Sequence, residues 1–276
     1  KTAVVISGTS NAENGQTVTL TITDGVTTIN ATATVTGGVW TYTADISAMA
    51  DGNITITADV TNLIGNAATQ ATRTLVKDIL APILGIDATL MTDNLVNDTE
   101  KSAFVISGTS NAEDGQVVTL TITDGSTTIN ATAAVTGGSW QTAVLDISSL
   151  ADGNITITAD VSDLAGNPAT QATKTVTKDA ALPTLAIDDP LMTDNKVNDA
   201  EKTAVVISGT SNAENGQDVA LAITDGSTTI NATATVTGGV WTYTADISAM
   251  VDGNIDITAD VTNLIGNAAT QVPRIL

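Results

Sequence analysis

Apolar and polar residues alternate with a period of two along most of the chain. Val18, Leu20 and Ile22 alternate with Thr17, Thr19, Thr21 and Thr23, and Ile54, Ile56, Ala58 and Val60 alternate with Thr55, Thr57 and Asp59. Side chains of a strand point to opposite faces in turn, so this pattern predicts strands with one buried and one solvated face. Asn14-Gly15, Asp24-Gly25, Gly37-Gly38, Asp51-Gly52 and Gly65-Asn66 punctuate the runs. Such pairs favour tight turns because Gly, Asn and Asp tolerate positive φ. No helical period is sustained; a single turn at residues 46–50 is the most that the pattern predicts.

The same unit occurs three times. Lys1-Thr-Ala-Val-Val-Ile-Ser-Gly-Thr-Ser-Asn-Ala-Glu returns, with small changes, at Lys101 and Lys202, and the Thr-Gly-Gly-x-Trp element returns at Trp40, Trp140 and Trp241. A spacing of about 100 residues is too long for a solenoid repeat and suits whole sandwich domains in tandem. Counting strands in the second copy gives about seven per unit, the number in an immunoglobulin-like sandwich. The fold class expected is therefore all-β, with tandem immunoglobulin-like β-sandwich domains end to end. The expected domains are 1–77, 78–178 and 179–276. The first copy lacks the segment that precedes Lys101 and Lys202, so its first strand is missing and the chain reads as a piece of a longer array. One extra residue between Trp140 and Asp146 predicts a bulge or longer loop in the second copy. Each Trp is expected in or near a core that is otherwise built from small aliphatic residues.

Composition then removes most chemistry. The chain has no Cys and no His, and 30 Asp and Glu against 9 Lys and Arg give a formal net charge of -21. Thiol nucleophiles, His-based triads and Cys or His metal sites are excluded. The charge disfavours nucleic acid and anionic membrane surfaces. No apolar run approaches the ~20 residues of a membrane-spanning helix. No pair of carboxylates points to a hydrolytic cleft, and the expectation is that the chain is not an enzyme.

The carboxylates cluster. Asp87, Asp93, Asn94, Asn97, Asp98 and Glu100 crowd one stretch, and Asp188, Asp189, Asp194, Asn195, Asn198, Asp199 and Glu201 crowd its counterpart. Both follow a Lys-Asp linker, at Asp78 and Asp179. Clustered oxygens in loops suit calcium, which takes six to eight oxygen ligands in irregular geometry. The other reading is that Asp and Asn serve as ordinary turn residues. A second acidic element, Asp59 with Asn62 and Asp160 with Asp163, lies late in each unit. It is expected at the end of the domain that faces the outgoing linker, where a shared site would fix one domain against the next.

The ordered set Ile-Ser-Gly-Thr, Asn-Gly-Gln-x-Val, Thr-Gly-Gly-x-Trp, Leu-Ala-Asp-Gly-Asn and Leu-Ala-Gly-Asn, with the Asp-Asn-x-Val-Asn-x-x-Glu stretch, resembles the bacterial Ig-like repeats of giant RTX adhesins. The resemblance implies a type I secreted, Gram-negative surface protein acting in attachment and biofilm formation. It implies an extender stiffened by Ca2+ at its linkers, which projects binding domains located elsewhere in the protein. The ligands implied at one junction are Asp78, Asp93, Asn94, Asp98 and Glu100, with Asp59 and Asn62 from the preceding domain. At the next they are Asp179, Asp194, Asn195, Asp199 and Glu201, with Asp160 and Asp163. The partners implied are neighbouring repeats of a monomeric chain, at the bacterial cell surface. The competing expectation is a ligand-binding module that recognises a glycan or a cell-surface partner through exposed loops or a Trp platform.

Overall fold

The computed structural model describes all of residues 1–276, and its regular elements are strands. Two compact units are formed, Lys1–Ala81 with the loop Asp163–Asn167, and Pro82–Ser162 with Pro168–Leu276. Each is described by itself.

In the first unit the strands are β1 (Val4–Thr9), β2 (Thr17–Thr23), β3 (Thr28–Thr34), β4 (Val39–Ala44), β5 (Gly52–Val60) and β6 (Ala71–Lys77). They form a four-stranded sheet, β3-β2-β5-β6, and a two-stranded sheet, β1-β4. The alternation is realised as expected: Val18, Leu20 and Ile22 are buried while the threonines between them face outward.

The second unit holds two sandwiches with separate apolar cores. The first contains β7 (Leu84–Ile86), β8 (Leu95–Val96), β9 (Ser107–Ser110), β10 (Val117–Thr123), β11 (Thr128–Ala134), β12 (Ser139–Gln141), β13 (Gly153–Asp160) and β14 (Ala172–Lys178). Its sheets are β11-β10-β13-β14-β8 and β12-β9-β7. The second contains β15 (Leu185–Ile187), β16 (Val205–Ser211), β17 (Asp218–Thr224), β18 (Thr229–Thr235), β19 (Val240–Ala245), β20 (Asp256–Val261) and β21 (Val272–Ile275), in sheets β18-β17-β20-β21 and β15-β16-β19. Neighbouring strands are antiparallel except β8, which runs parallel to the end of β14, pairing Leu95 with Thr177 and Val96 with Lys178.

The extra residue of the second copy is a bulge. Thr142 donates its N–H to the Ile106 carbonyl, and Leu145 donates to the Phe104 carbonyl. Three steps on one strand therefore match two on the other, which shortens β12 relative to β19. The predicted single turn at residues 46–50 is also present, closed by Met49 N–H on the Ile46 carbonyl at 3.2 Å.

The three Trp side chains enter the cores, with 9, 3 and 2% of their surface exposed at Trp40, Trp140 and Trp241. Each is paired across two strands with a glycine: Trp40 with Gly8, Trp140 with Gly108, Trp241 with Gly209. A methyl group on Gly108 would lie 2.5 Å from the Trp140 ring and 2.1 Å from the Gly85 carbonyl oxygen, so glycine admits both the indole and strand β7. On Gly8 the nearest atoms would all belong to Trp40, at 2.5 Å and beyond. Overpacking a core costs about 1–3 kcal/mol. Gly8→Ala is expected to fall in that range and Gly108→Ala to exceed it, because a backbone carbonyl cannot rotate aside. Hydrogen exchange of β1 and β9 along a urea titration of the full chain measures the difference.

Candidate functional site

The acidic stretches fold as capped turns. Asn97 Oδ1 accepts the N–H groups of Thr99 (3.0 Å) and Glu100 (3.1 Å), and Glu100 Oε2 accepts Asn97 N–H at 3.1 Å. This reciprocal arrangement is a capping box. Asn198 and Glu201 repeat it, with Glu201 Oε2 accepting Asn198 N–H at 3.0 Å. Asp98 forms an ion pair with Lys101, and Asp199 with Lys202 at 2.5 Å. The Lys202 ammonium beside Asp199 holds that carboxyl below its ordinary range, and the Lys rises correspondingly. Asn94 and Asn195 adopt φ of 65° and 58°, where Asn is tolerated better than most residues. Their Oδ1 atoms accept Leu90 and Leu191 N–H. Asp93 and Asp194 each accept an N–H two residues on, as do Asp78 and Asp179. Asp59 and Asp160 accept the side-chain amides of Gln70 and Gln171.

The grouping differs from the one expected. Strand β5 pairs Gly52 with Lys77 and Ala58 with Ala71, so Asp59 and Asn62 sit at the far end of the ladder from Asp78. Six residues at about 3.3 Å each separate them by roughly 20 Å. Likewise β13 pairs Gly153 with Lys178 and Ala159 with Ala172, which puts Asp160 remote from Asp179. In the second and third copies the late loop lies beside the incoming linker, through Asn167 with Asp78 and Asn267 with Asp179, and in the first two copies the outgoing linker leaves from the opposite end of the ladder. Asn195 and Asp199 also depart from the expected set, because with Lys202 they line a hollow beside Asp252, Ile255 and Leu276 of the last sandwich.

What the fold assembles is a junction within the second unit. Asn267 donates through Nδ2 to the carbonyls of Asp179 (2.9 Å) and Ala181 (3.2 Å), while its Oδ1 accepts Asp98 N–H at 2.6 Å. Asn263 Oδ1 accepts Asn267 N–H at 2.8 Å, and Asn263 Nδ2 reaches the Ala181 carbonyl at 3.4 Å. One side chain of the last copy thus bonds both the linker and the preceding sandwich, and Asn267 is only 2% exposed. The equivalent loop of the second copy, in the first unit, uses Asp163 and Asn167. Asn167 Nδ2 donates to Asp163 Oδ2 at 2.8 Å and to the Asp78 carbonyl at 3.3 Å. In the first copy Asn66 is exposed. Asn167 and Asn267 are the functional residues that the acidic clusters do not reveal; their signal is the Gly-Asn pair closing this loop in every copy.

Carboxylate, carboxamide and carbonyl oxygens are the donor chemistry of a hard cation. The grouping fits less well, since no three acidic side chains gather into a cluster that could hold a metal. Asp98, Glu100, Asp199 and Glu201 are already engaged by Lys or N–H donors of their own turns. The burial of Trp140 and Trp241 leaves no indole platform there for a sugar.

The sandwich topology defines the class of the chain as an array of immunoglobulin-like domains. Residues 86–180 match the family described as bacterial Ig-like domain. The other two copies repeat that sequence, and the chain belongs to this family. No curated protein matches the chain. Among solved structures, it is similar to a tetra-tandem repeat in the extending region of a large adhesion protein, with 30% identity, 100% of this chain and 70% of that one covered, and a TM-score of 0.37. It is also similar to a Ca2+-stabilized adhesin that helps an Antarctic bacterium reach out and bind ice, with 24% identity, coverage of 99% and 68%, and a TM-score of 0.52. A 1.5-MDa bacterial ice-binding adhesin gives 22% identity, coverage of 99% and 89%, and a TM-score of 0.48.

Asn267→Ala is expected to destabilise the junction by about 1–3 kcal/mol, the cost of stranding buried hydrogen-bonding partners. Asn66→Ala should change stability by less than about 0.5 kcal/mol, as at most exposed sites. Chemical denaturation of the two variants compares them. Asp163 supplies a pH test. Burial works to raise its pKa, but the Asn167 amide and the N–H groups of Asn167, Gly166 and Ala165 together hold it below the ordinary value. A depressed pKa contributes stability that is complete above the unfolded value, about 3.9, and is lost as pH falls through the folded one. The Asn167 side-chain amide resonance should therefore move below about pH 4, and Asp163→Asn should abolish that movement.

Proposed function

We propose that the chain is a spacer segment of a bacterial surface adhesin, an array of non-enzymatic domains whose neighbours are further repeats of the same polypeptide. The observation that carries this reading is the Asn267 bridge, which ties Asp98 of one sandwich, the linker carbonyls of Asp179 and Ala181, and the next sandwich in one hydrogen-bonded network. A joint closed in this way resists reorientation, which an extender needs and a freely jointed string of domains lacks. The similarity to the extending region of a large adhesion protein agrees with it. In this reading the segment holds binding domains away from the cell in attachment and biofilm formation.

Calcium at the joints belongs to the same proposal, supported by oxygen-donor chemistry and by the similar adhesin described as Ca2+-stabilized. At the junction of the second unit the residues that would hold it are Asp98, Asp179, Asn263 and Asn267, and the ion would supply positive charge where a protein of net charge -21 needs it. Lys101 would then have to release Asp98. Thermal melts in calcium and in EGTA are expected to differ, with chelation lowering the melting temperature. Superimposed melts remove calcium and leave the amide-closed joint. Small-angle scattering of Asn267→Ala tests that joint separately. A broader distribution of shapes than wild type is expected, and an unchanged profile would sink the spacer mechanism.

A further inference from the structure

The first and third copies are almost the same sequence, and their differences gather on one surface. Residues 1–75 and 202–276 differ at nine positions. Asp218, Ala220 and Ala222 stand where the first copy has Thr17, Thr19 and Thr21. Asp256, Pro273 and Ile275 stand where it has Thr55, Thr72 and Thr74. These six of the nine share the outer face of the sheet β18-β17-β20-β21. The second copy keeps threonine at five of them, as Thr119, Thr121, Thr156, Thr173 and Thr175. The third copy is therefore the one that departs.

Strand register shows what the changes build. Ala220 lies between Thr233 of β18 and Asp260 of β20, and Ala222 lies between Asn231 and Thr258. Residues paired across strands share a face, so the two alanines floor a trough of about 430 Å³. Asn231 and Thr233 line one side of it and Asp260 the other. In the first copy Thr19 and Thr21 occupy that floor, and the Thr21 hydroxyl reaches Asn30 at 3.4 Å. The third copy thus loses hydroxyls from the centre of the face and gains carboxylates around it. Asp218, Asp256 and Asp260 enter no ion pair, and Asp260 accepts the Gln271 side-chain amide at 2.7 Å.

Pro273 separates this face from the sheet edge. Ile255 and Leu276 exchange both of their main-chain hydrogen bonds. Such pairs alternate along an antiparallel ladder, so at Thr258–Pro273 the main-chain groups of β21 point away from β20. Proline there sacrifices no ladder bond and takes an N–H from the outer side of β21, which discourages strand addition. A partner then meets the face rather than the edge.

We propose that the outer face of the third sandwich docks an extended basic segment of another protein. Cationic side chains at positions i, i+2 and i+6 of that segment meet Asp218, Asp260 and Asp256, and an aliphatic stem lies on Ala220 and Ala222. Because Val219 pairs with Val261, Asp218 stands two residues beyond Asp260 along the sheet, and Asp256 stands four residues to the other side. At about 3.3 Å per residue the carboxylates are spaced by roughly 7 and 13 Å along the strands, and an extended segment has the same rise. Lysine and arginine cover apolar surface with their stems while the charged head stays in water. Complementary charge selects the partner. No aromatic side chain stands on this face to stack on a sugar. The inference is independent of the spacer reading, since none of these residues belongs to the Asn267 joint.

The test uses the full 276-residue chain and a fluorescent peptide, Lys-Ser-Lys-Ser-Ser-Ser-Lys. Polarisation at low salt should show saturable binding. The fourfold variant Asp218→Thr, Ala220→Thr, Ala222→Thr, Asp256→Thr gives the face the residues that the first copy carries on the same strands. It should bind about tenfold weaker, because two exposed ion pairs are lost. The rearranged peptide Lys-Lys-Lys-Ser-Ser-Ser-Ser measures the general attraction of a cation to a chain of net charge -21. It should bind several-fold weaker than the spaced peptide. Carbodiimide coupling of the bound peptide, read by mass spectrometry, should join its amines to Asp218, Asp256 and Asp260. Absence of saturable binding, equal affinity of the rearranged peptide or of the fourfold variant, or coupling spread over the acidic loops overturns the proposal.

Discussion

The close packing of each tryptophan over its partner glycine is the constraint on which the sandwich depends. Burying an indole removes some 200 Å² from water, worth roughly 5 kcal/mol at 25 cal/mol per Å². That is a large share of stability for a domain otherwise filled by Val, Ile, Leu and Ala. The ring finds room because Gly8, Gly108 and Gly209 have no side chain. The same lack of a side chain lets β7 and β15 draw close on the opposite edge. Two requirements, one aromatic and one main-chain, thus meet at a single residue in Ile-Ser-Gly-Thr.

Much of the architecture was legible in the sequence because it rests on local, repeated patterns. Period-two alternation located the strands around Leu20, Leu120 and Leu221, and the Gly pairs located the turns. The bulge after Trp140 followed from counting one residue more than in the other copies. The candidate site was legible only in its chemistry. The oxygen-rich loops are real, but density of Asp and Asn along the chain does not reveal which pole of a sandwich each loop occupies. That depends on strand pairing: the β13–β14 ladder separates Asp160 from Asp179, and the parallel β8–β14 pairing sets Asp98 near the outgoing linker. Asn167 and Asn267 were hidden for another reason. A neutral carboxamide that bonds main-chain carbonyls carries no charge to attract notice, although it can both donate and accept.

The net charge of -21 takes on a more specific meaning. Many of the carboxylates accept N–H groups within turns, and Asp24 shows how. It binds Val26 and Thr27 N–H through Oδ1 and, through Oδ2, Ala50 N–H from a distant loop at 2.7 Å. These donors, Ala50 first, hold its pKa below the ordinary carboxylate range. Asp124 and Asp225 repeat the tie. Acidity here is in part the by-product of a chain whose connections are fastened by anionic acceptors.

The short parallel pairing of β8 with β14 has a consequence for how the second sandwich responds to tension. Thr177 N–H bonds the Asn94 carbonyl and Asp179 N–H bonds the Val96 carbonyl, both at 3.0 Å, just before the chain leaves the domain. A pull on the two ends drags parallel strands past each other, so these bonds are loaded in shear and must rupture together rather than unzip in turn. Lys178, 4% exposed and bonded to the Leu150 carbonyl and to Asp152, anchors the same point. The patch is small, but it stands at the place where force would enter.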